Sequence, residues 1–123
     1  MTFNSKQLAA IAKLAMVMAM ADRVIAKEEK TVLTFELMKF GLTQLEAVGV
    51  MTVAQNMSTD EAHNEIKAMS LDQKKYVTGY LAAVMASDGD IADVEVEVWS
   101  LMSVLCNLPT MTVGEALEFW NTH

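Results

Sequence analysis

The chain has one cysteine, one proline and five glycines among 123 residues, and each scarcity closes off a class of protein. A lone Cys106 can form no intrachain disulfide, so nothing points to an oxidising compartment, and it reads as a small core residue. So few glycines and prolines leave little material for linkers or for the turns of a many-stranded sheet. Cations are in deficit as well, nine against sixteen acids, and the resulting formal charge of −7 repels phosphate backbones and anionic headgroups. Nucleic acid is therefore disfavoured as a partner. The longest apolar run, residues 8 to 21, holds 14 residues and contains Lys13, short of the roughly 20 apolar residues that span a bilayer. The opening MTFNSKQ is polar and lacks the basic start, apolar core and cleavage site of a secretory leader. Gly-rich phosphate loops and a serine nucleophile elbow are missing too. These absences lead to the expectation of a cytoplasmic protein that is not an enzyme and does not insert into a membrane.

What is present is apolar. Hydrophobic residues make up 53% of the chain and charged residues 20%, and a chain of this size can bury about 65% of its extended surface. Four stretches carry a Ser or Thr followed three residues later by Glu or Gln, the reciprocal pattern that closes a helix start: Thr43 with Glu46, Ser58 with Glu61, Ser70 with Gln73, and Thr112 with Glu115. Gly41, Asn56 and Asn107, the last with Pro109 beyond it, suit helix stops. The expectation is an all-α fold, one compact bundle of about seven helices over residues 1–123, near 4–21, 26–40, 43–55, 58–69, 70–87, 92–106 and 111–121. The first helix and residues 80–86 are apolar nearly all round and belong at the centre. Gly79, Ala82, Ala83 and Ala86 form a small-residue stripe where another helix can come close. Most of the eleven methionines, among them Met16, Met18, Met20, Met51 and Met102, fall at core spacing and read as filler.

Residues 91–98 alternate apolar and polar, the period of a strand, yet the same stretch fits a helix through Val94, Val98, Leu101, Met102 and Leu105. A shift of the sequence by 66 residues decides for helix. DRVIAKEE at 22–29 then lies on DGDIADVE at 88–95, pairing Asp22 with Asp88, Ile25 with Ile91 and Glu29 with Glu95. Each half, about 4–57 and 70–123 with the helix 58–69 between them, holds an apolar helix, an acidic turn with one isoleucine, and a second helix.

This pattern, an Ala-rich apolar helix followed by A-D-G-x-I-x-x-x-E and a helix closing near G-L or N-L, resembles the tellurite-resistance TerB-like family, which includes the N-terminal module of DjlA-type co-chaperones. It is carried by Ser87 to Glu95 and, in degraded form, by Ala21 to Glu29. The resemblance implies an all-helical duplicated fold, a link to tellurite or stress response, and a divalent-cation site transferred to Asp88, Asp90 and Glu95, with Asp22 and Glu29 in the first copy. That first copy has Arg23 in place of the glycine and Val24 in place of Asp90, so its ligand set is depleted.

Two readings of the acidic turn stay open. Calcium takes six to eight oxygens and magnesium six, partly from water, so Asp88, Asp90 and Glu95 suffice only for an open, weak site. An EF-hand is excluded, because counting from Asp88 puts Asp93 at the glycine position and Trp99 at the final ligand position. In the structural reading Glu95 sits at a helix N-terminus, favourable by about 0.3–1 kcal/mol, and Asp88 accepts from turn amides. His63 lacks a second histidine and reads as surface, and Cys106 has no basic neighbour in sequence to make it a nucleophile. The expected function is a non-enzymatic binding or scaffold module with a calcium or magnesium ion as its only cofactor. The alternative is a metal-independent module whose acidic surface docks a protein partner in the manner of a co-chaperone.

Overall fold

The first helix dictates the arrangement. α1 (Ser5–Ala19) is a run of alanine, leucine, isoleucine and methionine broken only by Lys13 after its first turn, so it has no polar face to offer solvent. Ten of its residues are buried, and it touches α2 (Lys27–Met38), α3 (Gln44–Asn56), α4 (Thr59–Lys67), α5 (Leu71–Ala86) and α6 (Asp93–Leu105). Residues 71–86 repeat that character, with Val77 to Met85 buried without a break. α3 and α4 lie on α1, α7 (Val113–Thr122) lies on α5, and α2 and α6 each bridge α1 and α5. The computed structural model describes residues 2–20, 27–87 and 93–123, with the side chains of 27–30 left aside; these seven helices, and no strand, are found among them. The chain is thus all-α, and residues 93–98 belong to a helix despite their alternation.

Local chemistry explains the boundaries. Thr43, Ser70 and Thr112 each accept a hydrogen bond from the amide three residues on, and Glu46, Gln73 and Glu115 return one, closing full capping boxes. Ser58 accepts from the Glu61 amide at 3.1 Å without a return bond. A fifth start, Asn4 with Gln7, closes a full box that a search for Ser or Thr passes over. At the other ends, Gly41 (φ 94°) and Asn107 (φ 54°) take left-handed conformations. Asn56 ends α3 without one; its successor Met57 is extended. After α6 the Leu108 amide reaches the Ser103 carbonyl at 2.8 Å and the Asn107 amide reaches that of Val104 at 3.2 Å, a Schellman closure.

Helix positions recur at the 66-residue offset. α5 starts 66 residues after α1, and the two left-handed residues, 41 and 107, are 66 apart. Gln73 Nε2 lies 3.5 Å from Gln7 Oε1, so two residues in equivalent positions meet. The third helix breaks step: α7 starts 69 residues after α3, because α6 ends one residue later than the offset gives and the link 106–112 is two residues longer than 39–43.

The structure departs from the sequence pattern in side-chain direction. Trp99, Met102 and Cys106 are the buried residues at the α6 end, while Leu101 and Leu105 point to solvent at 58% and 46% exposure. Met20 is half exposed, and His63 is half-buried instead of lying on an open surface. The small-residue stripe behaves as expected at Gly79. A Cβ there would meet Trp120 Cβ at 3.1 Å and the Ala116 carbonyl at 3.2 Å. Neither neighbour gives way easily, since one is backbone and Trp120 is held by a 2.8 Å bond from Nε1 to Glu36. Gly79→Ala sets an overpacking cost of about 1–3 kcal/mol against a helix-propensity gain of about 1 kcal/mol. The expected result is a net loss of about 1 kcal/mol, read as a melting temperature lower by about 4 °C with the far-ultraviolet spectrum unchanged.

Candidate functional site

Of the five carboxylates singled out in the sequence, Asp22, Asp88 and Asp90 lie outside the described residues, and Glu29 lies in α2 with its side chain outside them. Glu95 is described: it is half-buried on the first turn of α6, with Asp93 exposed two residues before it. It is the third residue of its helix, the position that Glu46 and Glu115 occupy in theirs. Those two carboxyls are held below the usual carboxylate range by hydrogen bonds from the backbone and side chain of Thr43 and Thr112. Both of these exposed acids are therefore engaged in closing a helix start, which is the competing use of a carboxylate at that position.

A feature the sequence reading passed over is where the charge sits. Residues 1–75 carry nine acids and all nine cations; residues 76–123 carry seven acids and no lysine or arginine. The whole −7 therefore belongs to the stretch that forms the end of α5 together with α6 and α7. Counting charge by segment instead of by chain would have found it.

A second missed feature is an aromatic pocket of about 340 Å³ between the start of the chain, α2, α5 and α7, lined by Phe3, Lys39, Phe40, Tyr76, Trp120 and His123. Phe40 packs against Phe3 and Trp120, each at 5.1 Å between centroids, and Tyr76 packs against Phe119 at 5.0 Å, edge to face. Lys39 stands 6.0 Å over the Trp120 ring and 3.1 Å from Glu36, which also accepts from the Trp120 indole. Beneath them Tyr80 is fully buried and donates to the Leu33 carbonyl at 3.1 Å. Burial and the nearby Glu36 charge push its phenol far up, so it stays protonated at any ordinary pH. Lys39, Glu36, Trp120 and Tyr80 each have a protein partner, and the rings pack on one another. Residues more than 80 positions apart build it, which leaves no local trace.

No helix among the described residues is long and apolar enough to cross a membrane. Among the same residues no group of three or more His, Cys, Asp or Glu side chains is gathered for a metal; the acidic turns are not among them.

No family model matches the chain, and no curated protein matches it. A solved structure does: the crystal structure of a protein of unknown function from Porphyromonas gingivalis is 42% identical, covers all of this chain and 99% of its own, and superposes with a TM-score of 0.89.

Cys106 follows the expectation of a core residue. It is fully buried, and burial pushes its thiol up to about 11, with Lys74 and Lys67 pulling weakly the other way. Because the folded value is raised, the thiolate form is withheld at neutral pH and released on unfolding. Iodoacetamide at pH 8 is expected to alkylate the native chain at least about tenfold more slowly than the chain in denaturant. Equal rates would show that the thiol is open to solvent.

Proposed function

The chain belongs to the same family as that Porphyromonas gingivalis protein, and we propose that it is a helical binding module of the TerB-like kind, working by docking and not by catalysis. The observation that carries this reading is the placement of the entire net charge in residues 76–123, whereas acids and cations balance in residues 1–75. A field of one sign attracts a cationic partner and repels nucleic acid and anionic lipid. The one thiol is buried and protonated, which removes it as a nucleophile. The recurrence of helix boundaries at 66 residues agrees with the duplicated pattern on which the TerB-like resemblance rests. The proposed working place is the cytoplasm, and the proposed setting, taken from the resemblance alone, is tellurite or stress response.

Within this reading Asp88, Asp90 and Glu95 form a weak site for calcium or magnesium, with Asp22 and Glu29 as its depleted counterpart. Glu95 supports it by standing half-buried at the start of α6, with Asp93 exposed two residues before it. An ion at about ten times its dissociation constant stabilises the fold by about 1.4 kcal/mol, which raises the melting temperature by several degrees. Calcium or magnesium at about millimolar concentration should therefore raise the melting temperature of the wild type, and Asp88→Asn combined with Asp90→Asn should remove the rise. A wild type indifferent to both metals ends the cation part. The docking part has a separate readout: lysine-rich peptides should bind at low salt, release at high salt, and ignore a chelator.

A further inference from the structure

α6 carries two apolar seams; the fold buries one and, of the other, covers only the start, where Val98 packs against the core. Trp99, Met102 and Cys106, spaced by three and four, form the buried seam against α1 and α5. Val94, Val98, Leu101 and Leu105, spaced by four, three and four, form the second, with Val104 beside it. That is the spacing with which one helix packs along another. Val94 and Val98 are half-buried, while Leu101, Val104 and Leu105 are exposed by 58%, 78% and 46%. A helix apolar on two sides is ordinarily covered on both.

The other half of the chain shows what is missing. α3 lies against both α1 and α2, whereas α7 lies against α5 and makes no comparable contact with α6. The longer link, 106–112, takes α7 away from the place that α3 holds beside α2. Next to the bare seam is a hollow of about 450 Å³ lined by Trp99, Val104, Leu108, Pro109 and Met111. The Trp99 indole N–H is buried there without a hydrogen-bond acceptor among the described residues.

We propose that the outer seam of α6 docks one amphipathic helix of a partner protein, whose apolar stripe is flanked by lysines or arginines. Charge selects the occupant. Asp93 and Glu97 are exposed and Glu95 half-buried along the first two turns of α6, and no lysine or arginine follows Lys75. Among the described residues, Lys67 and Lys74 act on Cys106 at the other end of the helix. The partner's cations therefore lie over the first turns, and its stripe over Leu101 and Leu105. A second copy fits less well, because it brings another −7 chain, and a helix of this length, about 20 Å, falls short of the roughly 800 Å² per partner of a stable dimer. The apolar face of α3, with Leu45, Val48 and Val53 exposed, is the rival surface, but its surroundings mix Lys6 with Glu46 and Glu61.

The inference rests on the docking reading and narrows it to one face. The probe is a synthetic leucine–lysine amphipathic helix of about 18 residues, long enough to fold on contact, beside a leucine–glutamate counterpart. Titrated into the isotope-labelled chain at low salt, the lysine peptide should shift the resonances of Leu101, Val104 and Leu105 and bind at least about tenfold more tightly than the glutamate peptide, losing that advantage at about 0.5 M salt. Leu101→Ser with Val104→Ser should weaken binding about tenfold and leave the melting temperature within a degree or two, since both side chains are exposed. Leu45→Ser with Val48→Ser should change nothing. Shifts confined to α3, equal binding of the two peptides, no binding at millimolar peptide, or a dimer that the α6 substitutions dissolve would each overturn the proposal. Salt-sensitive binding that maps to α3 would do so while leaving the docking function standing.

Discussion

The constraint on which everything else depends is that α1 has no side it can show to water. Ala9, Ala10, Ile11, Ala12, Leu14, Ala15 and Met18 are buried on all but the narrow stripe of Lys6, Lys13 and Val17, and leaving one leucine or isoleucine of that kind exposed costs about 1.5–3 kcal/mol. A helix in that position must be walled in, and five of the other six helices supply the wall. α5 is a second such helix, packed on the first, and its Gly79 lets α7 approach to backbone distance. Once two neighbouring helices both demand full enclosure, the remaining five have few places to go. α2 and α6 close the two gaps between the central pair, and α3, α4 and α7 cover what is left.

Enclosure is unequal, and the reason lies in two residues of connection. A link of five residues after α2 folds α3 back against both α1 and α2; a link of seven after α6 carries α7 chiefly to α5. The halves otherwise keep step closely enough for their left-handed caps, Gly41 and Asn107, to fall 66 residues apart. Glu36 binds the Trp120 indole, tying α2 to α7 through a side chain, while the Trp99 N–H of α6 has no acceptor among the described residues. A buried donor without an acceptor costs about 1–3 kcal/mol. The price of moving α7 is thus visible at two points of α6, one polar and one apolar.

What the sequence shows and hides follows from the range of the forces involved. Helix starts and stops are set by contacts over three or four residues, so Thr43, Ser70, Thr112, Gly41 and Asn107 announce their own roles, and every expected helix falls within two residues of its observed limits. The burial of α1 and of residues 80–85 is legible for the same reason, since apolarity on every side admits one solution. The inward face of α6 is not. Its two seams are equally apolar by local pattern, and the choice of Trp99 and Met102 over Leu101 and Leu105 is made by α1 and α5. The acidic turns are legible as a repeated motif, but whether their oxygens converge depends on turn conformation, which residue type leaves open; of that set only the Glu95 side chain is described.

Charge and apolar surface belong to one device. An apolar seam left in water invites association with any other apolar seam, including its own copy on a neighbouring molecule. The −7 concentrated in residues 76–123 opposes that association, because copies that approach through α6 bring their acids together as they bring their leucines together. The same field favours a visitor of opposite sign, so one distribution of charge both keeps the seam free and chooses what covers it. Neither half suffices alone: without the leucines the acids hold a cation loosely at a screened surface, where such pairs contribute less than about 1 kcal/mol, and without the acids the leucines make no distinction among partners.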